Sequence, residues 1–74
     1  MSRLANANKQ VKVIKALKRA GFQIRSGGKH QIVADAEGNF RSTIPRAKQL
    51  NVHTLRAILK QVRLSEKEYL EFYR

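Results

Sequence analysis

Apolar residues recur at helical spacing near both ends of the chain and alternate with polar ones between, so the sequence divides into helix, sheet and helix. Val11, Ile14, Leu17 and Ala20 fall near one face of a predicted first helix, with Lys12, Lys15, Lys18 and Arg19 on the other. Asn8 or Asn6 is placed to cap it, and Gly21 supplies its stop. Phe22 to Arg25 alternates and predicts a strand, Ser26-Gly27-Gly28-Lys29 a turn, and His30 to Ala34 a second strand. Asp35 to Asn39 is a hairpin loop, and Phe40 to Ile44 is a third strand closed by Pro45. Two tight connections in succession imply an antiparallel meander.

A loop over 46–50 leads to Asn51, placed to cap a helix to about Arg63 with Val52, Leu55, Ile58, Leu59 and Val62 inward. Ser65 and Glu68 have capping-box spacing, and Leu64 and Tyr69 have staple spacing, so a last short helix is predicted to about Phe72. The expected fold is α+β in the order α-β-β-β-α-α. It forms one domain over 1–74, with 1–7 expected to be a frayed start. No repeat, linker or low-complexity segment interrupts it.

Composition narrows the function. The 74 residues suffice for one small core. There is no cysteine, which excludes disulfides, thiolate catalysis and Cys-based zinc sites. Two histidines and five scattered carboxylates argue against a metal site, and no cofactor is expected. No apolar run reaches membrane-spanning length and no signal peptide is visible, so no membrane partner is expected and the expected compartment is cytoplasmic.

Charge changes the picture more. The formal net charge is +11, and of the sixteen Lys and Arg residues only Lys67 and Arg74 follow Leu64. Glu66, Glu68 and Glu71 also lie in that last stretch. A polyanion-facing surface is therefore expected from the first 64 residues. A solvated basic surface kept for solubility is the plainer alternative.

Gly27-Gly28-Lys29-His30 is the most chemical stretch. A nucleotide-binding phosphate loop is excluded, because Gln23 and His30 stand where it needs Gly and Ser or Thr. A hairpin turn accounts for the glycines. His30 is the sharper candidate. RNA carries its own nucleophile in the 2′-hydroxyl, and one well-placed base can start strand scission. Lys29, Arg46 or another cation would stabilise the charged transition state. Against this, His30 alternates with Ile32 and Ala34, which predicts that it leans toward the helix side of the sheet. A strand-end histidine with no role is the plainer alternative. His53 is expected to be an exposed helix residue. Tyr69, Tyr73, Phe22 and Phe40 are expected in the core rather than as base-stacking platforms. A helix-turn-helix over 51–73 fares poorly, because its recognition helix would carry three glutamates against Lys67.

Taken in order, several stretches resemble the HicA-type toxins, the small mRNA interferases of bacterial type II toxin–antitoxin modules. They are Val13-Ile14-Lys15-Ala16-Leu17 with Ala20-Gly21-Phe22, Gly27-Gly28-Lys29-His30, the Asp35-to-Gly38 hairpin, Thr43-Ile44-Pro45-Arg46, Thr54-Leu55-Arg56-Ala57-Ile58-Leu59-Lys60 and Leu64-Ser65-Glu66. The ordered set over about 11–72 carries the resemblance, not any single piece. It implies a double-stranded-RNA-binding-domain-like fold, a three-stranded antiparallel sheet with helices on one face. It implies a metal-independent endoribonuclease that cleaves mRNA and stops translation, with the family's essential histidine matching His30. It also implies a HicB-type antitoxin as the partner that covers the active site. The chain departs from the family's usual pattern at Gly28, where Ser is common, at Ala47, where His is common, and at Arg63, where Gly is usual.

The residues expected to hold RNA are Lys12, Lys15, Lys18, Gly28, Lys29, Arg46 and Lys48, with His30 catalytic. A non-catalytic RNA-binding module on the same fold is the alternative function, and His30 is what separates the two.

Overall fold

A computed structural model describes residues 3–74. A short 3-10 helix, Arg3–Asn6, is followed by α1 (Gln10–Arg19), β1 (Gln23–Gly27), β2 (His30–Ala34), β3 (Phe40–Pro45), α2 (Val52–Val62) and α3 (Glu66–Tyr73). The sheet is antiparallel in the order β1-β2-β3, with helices against one face. The architecture is the α+β, double-stranded-RNA-binding-domain-like one that the hydrophobic pattern and the resemblance imply.

The frayed start is corrected for residues 3–7. Leu4 is fully buried, Ala7 is nearly so, and both belong to the core, while residues 1 and 2 lie outside the described residues. The physical reason lies in later parts of the chain: the 3-10 helix packs against α2, and α3 adds a bond. Tyr69 of α3 is fully buried and its hydroxyl donates to the Ala7 carbonyl. Burial, with Tyr73 nearby, pushes the Tyr69 phenol well above its ordinary range.

The inward face of α1 is also corrected. Val13, Ala16 and Leu17 are buried, whereas Val11 is 64% exposed. Both sets fit helical spacing. The choice is made by a β-bridge between Lys9 and Gln49, which fixes the rotation of the helix start. Gln10 N–H donates to the Lys48 carbonyl at 2.9 Å, and Leu50 N–H donates to the Asn8 carbonyl at 2.8 Å. Asn8 is not the cap; its side-chain amide donates to the Leu50 carbonyl, and Lys9 holds the N-cap position without a side-chain bond. Gly21 ends the helix as expected.

α2 follows its pattern closely. Asn51 Oδ1 accepts from His53 N–H at 2.8 Å, and Leu55, Ile58, Leu59 and Val62 are buried at helical spacing. The helix ends at Arg63 in the left-handed conformation, φ 60°. Its N–H and that of Leu64 bond back to the carbonyls of Lys60 and Leu59, a Schellman ending. α3 starts with the predicted capping box between Ser65 and Glu68.

In the sheet, the first strand is displaced from its predicted span and runs on to Gly27, so the turn is only Gly28-Lys29. Gly28 has φ 53° and Lys29 remains at negative φ, the pattern of a type II′ hairpin turn. The second turn is locked by Asp35, whose carboxylate accepts from the N–H groups of Asn39 and Glu37 and pairs with Arg41 at 2.9 Å. The backbone bond from Asn39 is the leading cause holding the Asp35 carboxyl below its ordinary value.

Pairing register settles which way each strand faces. Ile24, Val33 and Ser42 align across the sheet, as do Ser26, Gln31 and Ile44. Val33, Ser42 and Ile44 are buried, so this is the helix face. Ser42 remains satisfied there, donating to Gln61 Oε1 at 2.6 Å. The other face carries Arg25, Ile32 and Thr43, and then Gly27, His30 and Pro45. His30 therefore points away from the helices, which corrects the expectation from strand parity. Phe40 is 65% exposed and is not a core residue.

Candidate nucleic-acid interface

The end of the sheet that holds His30 is also where α1 begins. His30 is the first residue of β2, exposed, and flanked in register by Gly27 and Pro45. Gly27 makes room for the Ile32 side chain, which fills the space a larger residue would need. A Cβ there would stand 2.8 Å from Ile32 Cδ1, so no larger residue fits without displacing Ile32. Pro45 closes the other side, and its carbonyl accepts from Gln10 Nε2 at 3.0 Å. The first turn of α1 is thus tied to the strand residue paired with His30.

Arg46 spans this end of the sheet. From the residue after β3 its guanidinium reaches past β2, donating through Nε to the Gly28 carbonyl at 3.0 Å and through Nη2 to Ser26 Oγ at 2.7 Å. The turn before His30 is thereby held by a cation. Ser26, which shares that grip, went unrecognised in the sequence; its only signal is its place just before the glycine pair. Lys29 is exposed in the turn itself.

The remaining predicted RNA contacts fall in two groups. Lys48 lies in the loop after Arg46 and, with Lys9, Val11 and Gln49, lines a cleft of about 430 Å³. Lys12, Lys15 and Lys18 run away from this end along α1, with a rise of about 1.5 Å per residue. Lys12 Nζ sits 5.7 Å from the centroid of the Tyr73 ring, within cation–π range. Lys12 and Lys15 share a shallow cavity with Arg19, Tyr73 and Arg74. Arg19 is bound to the end of the last helix, donating to the carbonyls of Phe72 and Arg74. Gly28, Lys29 and His30 follow one another through the β1–β2 turn, and Arg46 grips that turn through the Gly28 carbonyl and the helix-face residue Ser26. Lys48 lies beside the start of α1, and Lys15 and Lys18 lie progressively farther along the helix. His53 is exposed on α2, as expected.

Electrostatically the surface is little neutralised. Among the described residues the only ion pair is Arg41–Asp35. No group of three or more His, Cys, Asp or Glu side chains among them is placed to hold a metal ion. No helix among them is long and apolar enough to cross a membrane.

A small α+β domain of net charge +11, with an exposed histidine beside a turn braced by Arg46, defines a class of compact basic proteins. Comparison with known families then places it: the model of the HicA toxin of bacterial toxin–antitoxin systems matches residues 12–64, most of the chain, and the chain belongs to that family. It is therefore the toxin member of such a pair, and an antitoxin is its partner in kind. No curated protein matches the chain significantly.

Proposed function

We propose that this toxin is an endoribonuclease that cleaves mRNA in the cytoplasm without a metal ion and so stops translation, with His30 as general base. The observation that carries this is the position of His30, exposed on the bare sheet face at the end of β2, with Arg46 braced across the turn before it.

The reaction follows from RNA's own chemistry. An imidazole nitrogen of His30 takes the proton of a 2′-hydroxyl, and the 2′-oxygen attacks the adjacent phosphorus. The bond from phosphorus to the 5′-oxygen breaks, and that oxygen takes a proton from solvent. The products are a 2′,3′-cyclic phosphate and a 5′-hydroxyl. Negative charge on the equatorial phosphoryl oxygens is met by the Lys29 ammonium and the Arg46 guanidinium. Gly28 keeps the turn free of a side chain that would stand in the way of the phosphate. Lys48, Lys12, Lys15 and Lys18 extend the cationic track. An antitoxin of the HicB type would silence the enzyme by covering the sheet end around His30.

The test compares His30→Ala with His53→Ala. His30→Ala lowers RNA cleavage by about 10²–10⁴-fold, the usual contribution of a general base, and abolishes toxicity, while RNA affinity and the melting curve stay near those of the parent. His53→Ala behaves as the parent. Cleavage by the parent persists in excess EDTA and spares the matching DNA. A folded His30→Ala protein that cleaves at the parent rate would leave a non-catalytic RNA-binding module as the better account. Cleavage that stops with EDTA and returns with magnesium would overturn the metal-free mechanism.

A further inference from the structure

We propose that the cleft between the start of α1 and the loop after β3, lined by Lys9, Val11, Lys48 and Gln49, holds one unpaired nucleobase of the RNA next to the strand step handled at His30. The inference rests on the ribonuclease function proposed above and names a base-binding subsite for it.

Four observations meet there. Val11 is a large apolar side chain left 64% exposed, at a helix position where a β-branched residue has no intrinsic advantage. Its neighbours in the cleft are two lysines, a side chain whose alkyl stem can cover apolar surface while its ammonium group stays in water. Gln49 supplies a side-chain amide, which both donates and accepts hydrogen bonds and so matches the Watson–Crick edge of a base. The volume, about 430 Å³, lies in the range of small-molecule sites.

The cleft is also built rigidly. The Lys9–Gln49 bridge and the bonds Gln10 to Lys48, Leu50 to Asn8 and the Asn8 side chain to Leu50 fix both walls. Its position suits the chemistry: Gln10 beside it bonds the carbonyl of Pro45, the register partner of His30. Charge selects the occupant. A base on Val11 places its flanking phosphates against Lys9 and Lys48, whereas an apolar protein side chain would leave those two ammonium groups unused. Single-stranded RNA offers such splayed bases.

The experiment scans single-stranded RNA oligonucleotides that each carry one abasic position. Binding is measured by fluorescence anisotropy to His30→Ala protein, so no cleavage intervenes. One abasic position should weaken binding several-fold, with its neighbours near parent affinity. In the triple variant Val11→Ala, Gln49→Ala, His30→Ala that position should lose its special effect, while affinity for a fully abasic strand is unchanged. Both substituted side chains are on the surface, and a melting curve verifies folding. A flat abasic scan, or a penalty that survives the triple variant, overturns the proposal. So does unchanged RNA binding together with weakened capture of the antitoxin, which would make the cleft a protein-docking surface. If the penalty is present but the parent never cuts RNA, the base subsite stands and the nuclease function fails.

Discussion

Arg46 donates to the carbonyl of Gly28, eighteen residues earlier in the chain, at 3.0 Å. The side chain ties the exit of β3 to the β1–β2 turn, and His30, the first residue after that turn, pairs in register with Pro45, the residue just before Arg46. Arg46 thus does two jobs in the proposed reaction: it fixes the turn and it offers charge to the phosphate.

Removing it should separate these jobs. Arg46→Ala is expected to lower kcat for RNA cleavage by at least about tenfold and to speed amide exchange in the β1–β2 turn. The global stability loss should be only about 1 kcal/mol, as expected for exposed hydrogen bonds. Arg46→Lys keeps the charge but not the fork that reaches Gly28 and Ser26 together, so the turn should still exchange fast. Slow turn exchange in Arg46→Ala would show that the brace is dispensable.

RNA affinity should decline linearly with log salt, by a slope of roughly −0.7 per phosphate contact on a single strand. Reversing Lys12, Lys15 and Lys18 to Glu together should weaken binding and make that slope shallower. Lys12 is held over Tyr73 and shares a cavity with Lys15. An unchanged slope would mean that α1 carries a solvated basic face outside the RNA path.

Tyr69 joins the two ends of the fold, buried in α3 and donating to the Ala7 carbonyl. Tyr69→Phe leaves that carbonyl without its donor and should cost about 1–3 kcal/mol. Tyr69→Ala also opens a cavity and should cost about 3–5 kcal/mol, enough to leave so small a domain largely unfolded. Denaturant titration of both variants measures this; equal small losses would show that α3 is an appendage.

Arg63 occupies a left-handed cap where the family usually has glycine. The backbone there already has the Schellman geometry, so Arg63→Gly relieves steric cost without moving anything. The expected gain is about 1 kcal/mol, or roughly 5 °C in Tm for a domain of this size. An unchanged or lower Tm would show that the arginine side chain compensates for the strain.

The Asp35 carboxyl is held below its ordinary value of 3.8, chiefly by the Asn39 N–H. Its stabilisation of the hairpin is therefore fully present above that value and is lost as pH falls through the lower folded value. Asp35→Asn should flatten the response of the hairpin's amide exchange to acid below about pH 4. A steep response that persists would point to other carboxylates.

Much of this protein was fixed by local sequence. The capping box at Ser65 and Glu68, the Asn51 cap, the four-position stripe of α2, the glycine turn and the Asp35 hairpin are all short-range devices. Each is satisfied within a few residues, so spacing alone reveals it. Local pattern also placed Gly28, Lys29 and His30 together.

What it did not decide was orientation. In β2 the residues Ile32, Val33 and Ala34 are all apolar, so either face of that strand could turn inward, and the direction of His30 depended on the answer. The answer came from β3, where Ser42 and Ile44 bury against the helices and, through the register, turn Val33 inward and His30 outward. The same holds for α1, where two stripes share one helix and the bridge from Lys9 to Gln49 chose between them. Leu4 and Ala7 became core residues because the 3-10 helix packs against α2 and Tyr69 reaches the Ala7 carbonyl from the far end of the chain. A residue's spacing is a property of its own segment, but the face it presents is set by the partner that covers the opposite one, and that partner is distant in sequence.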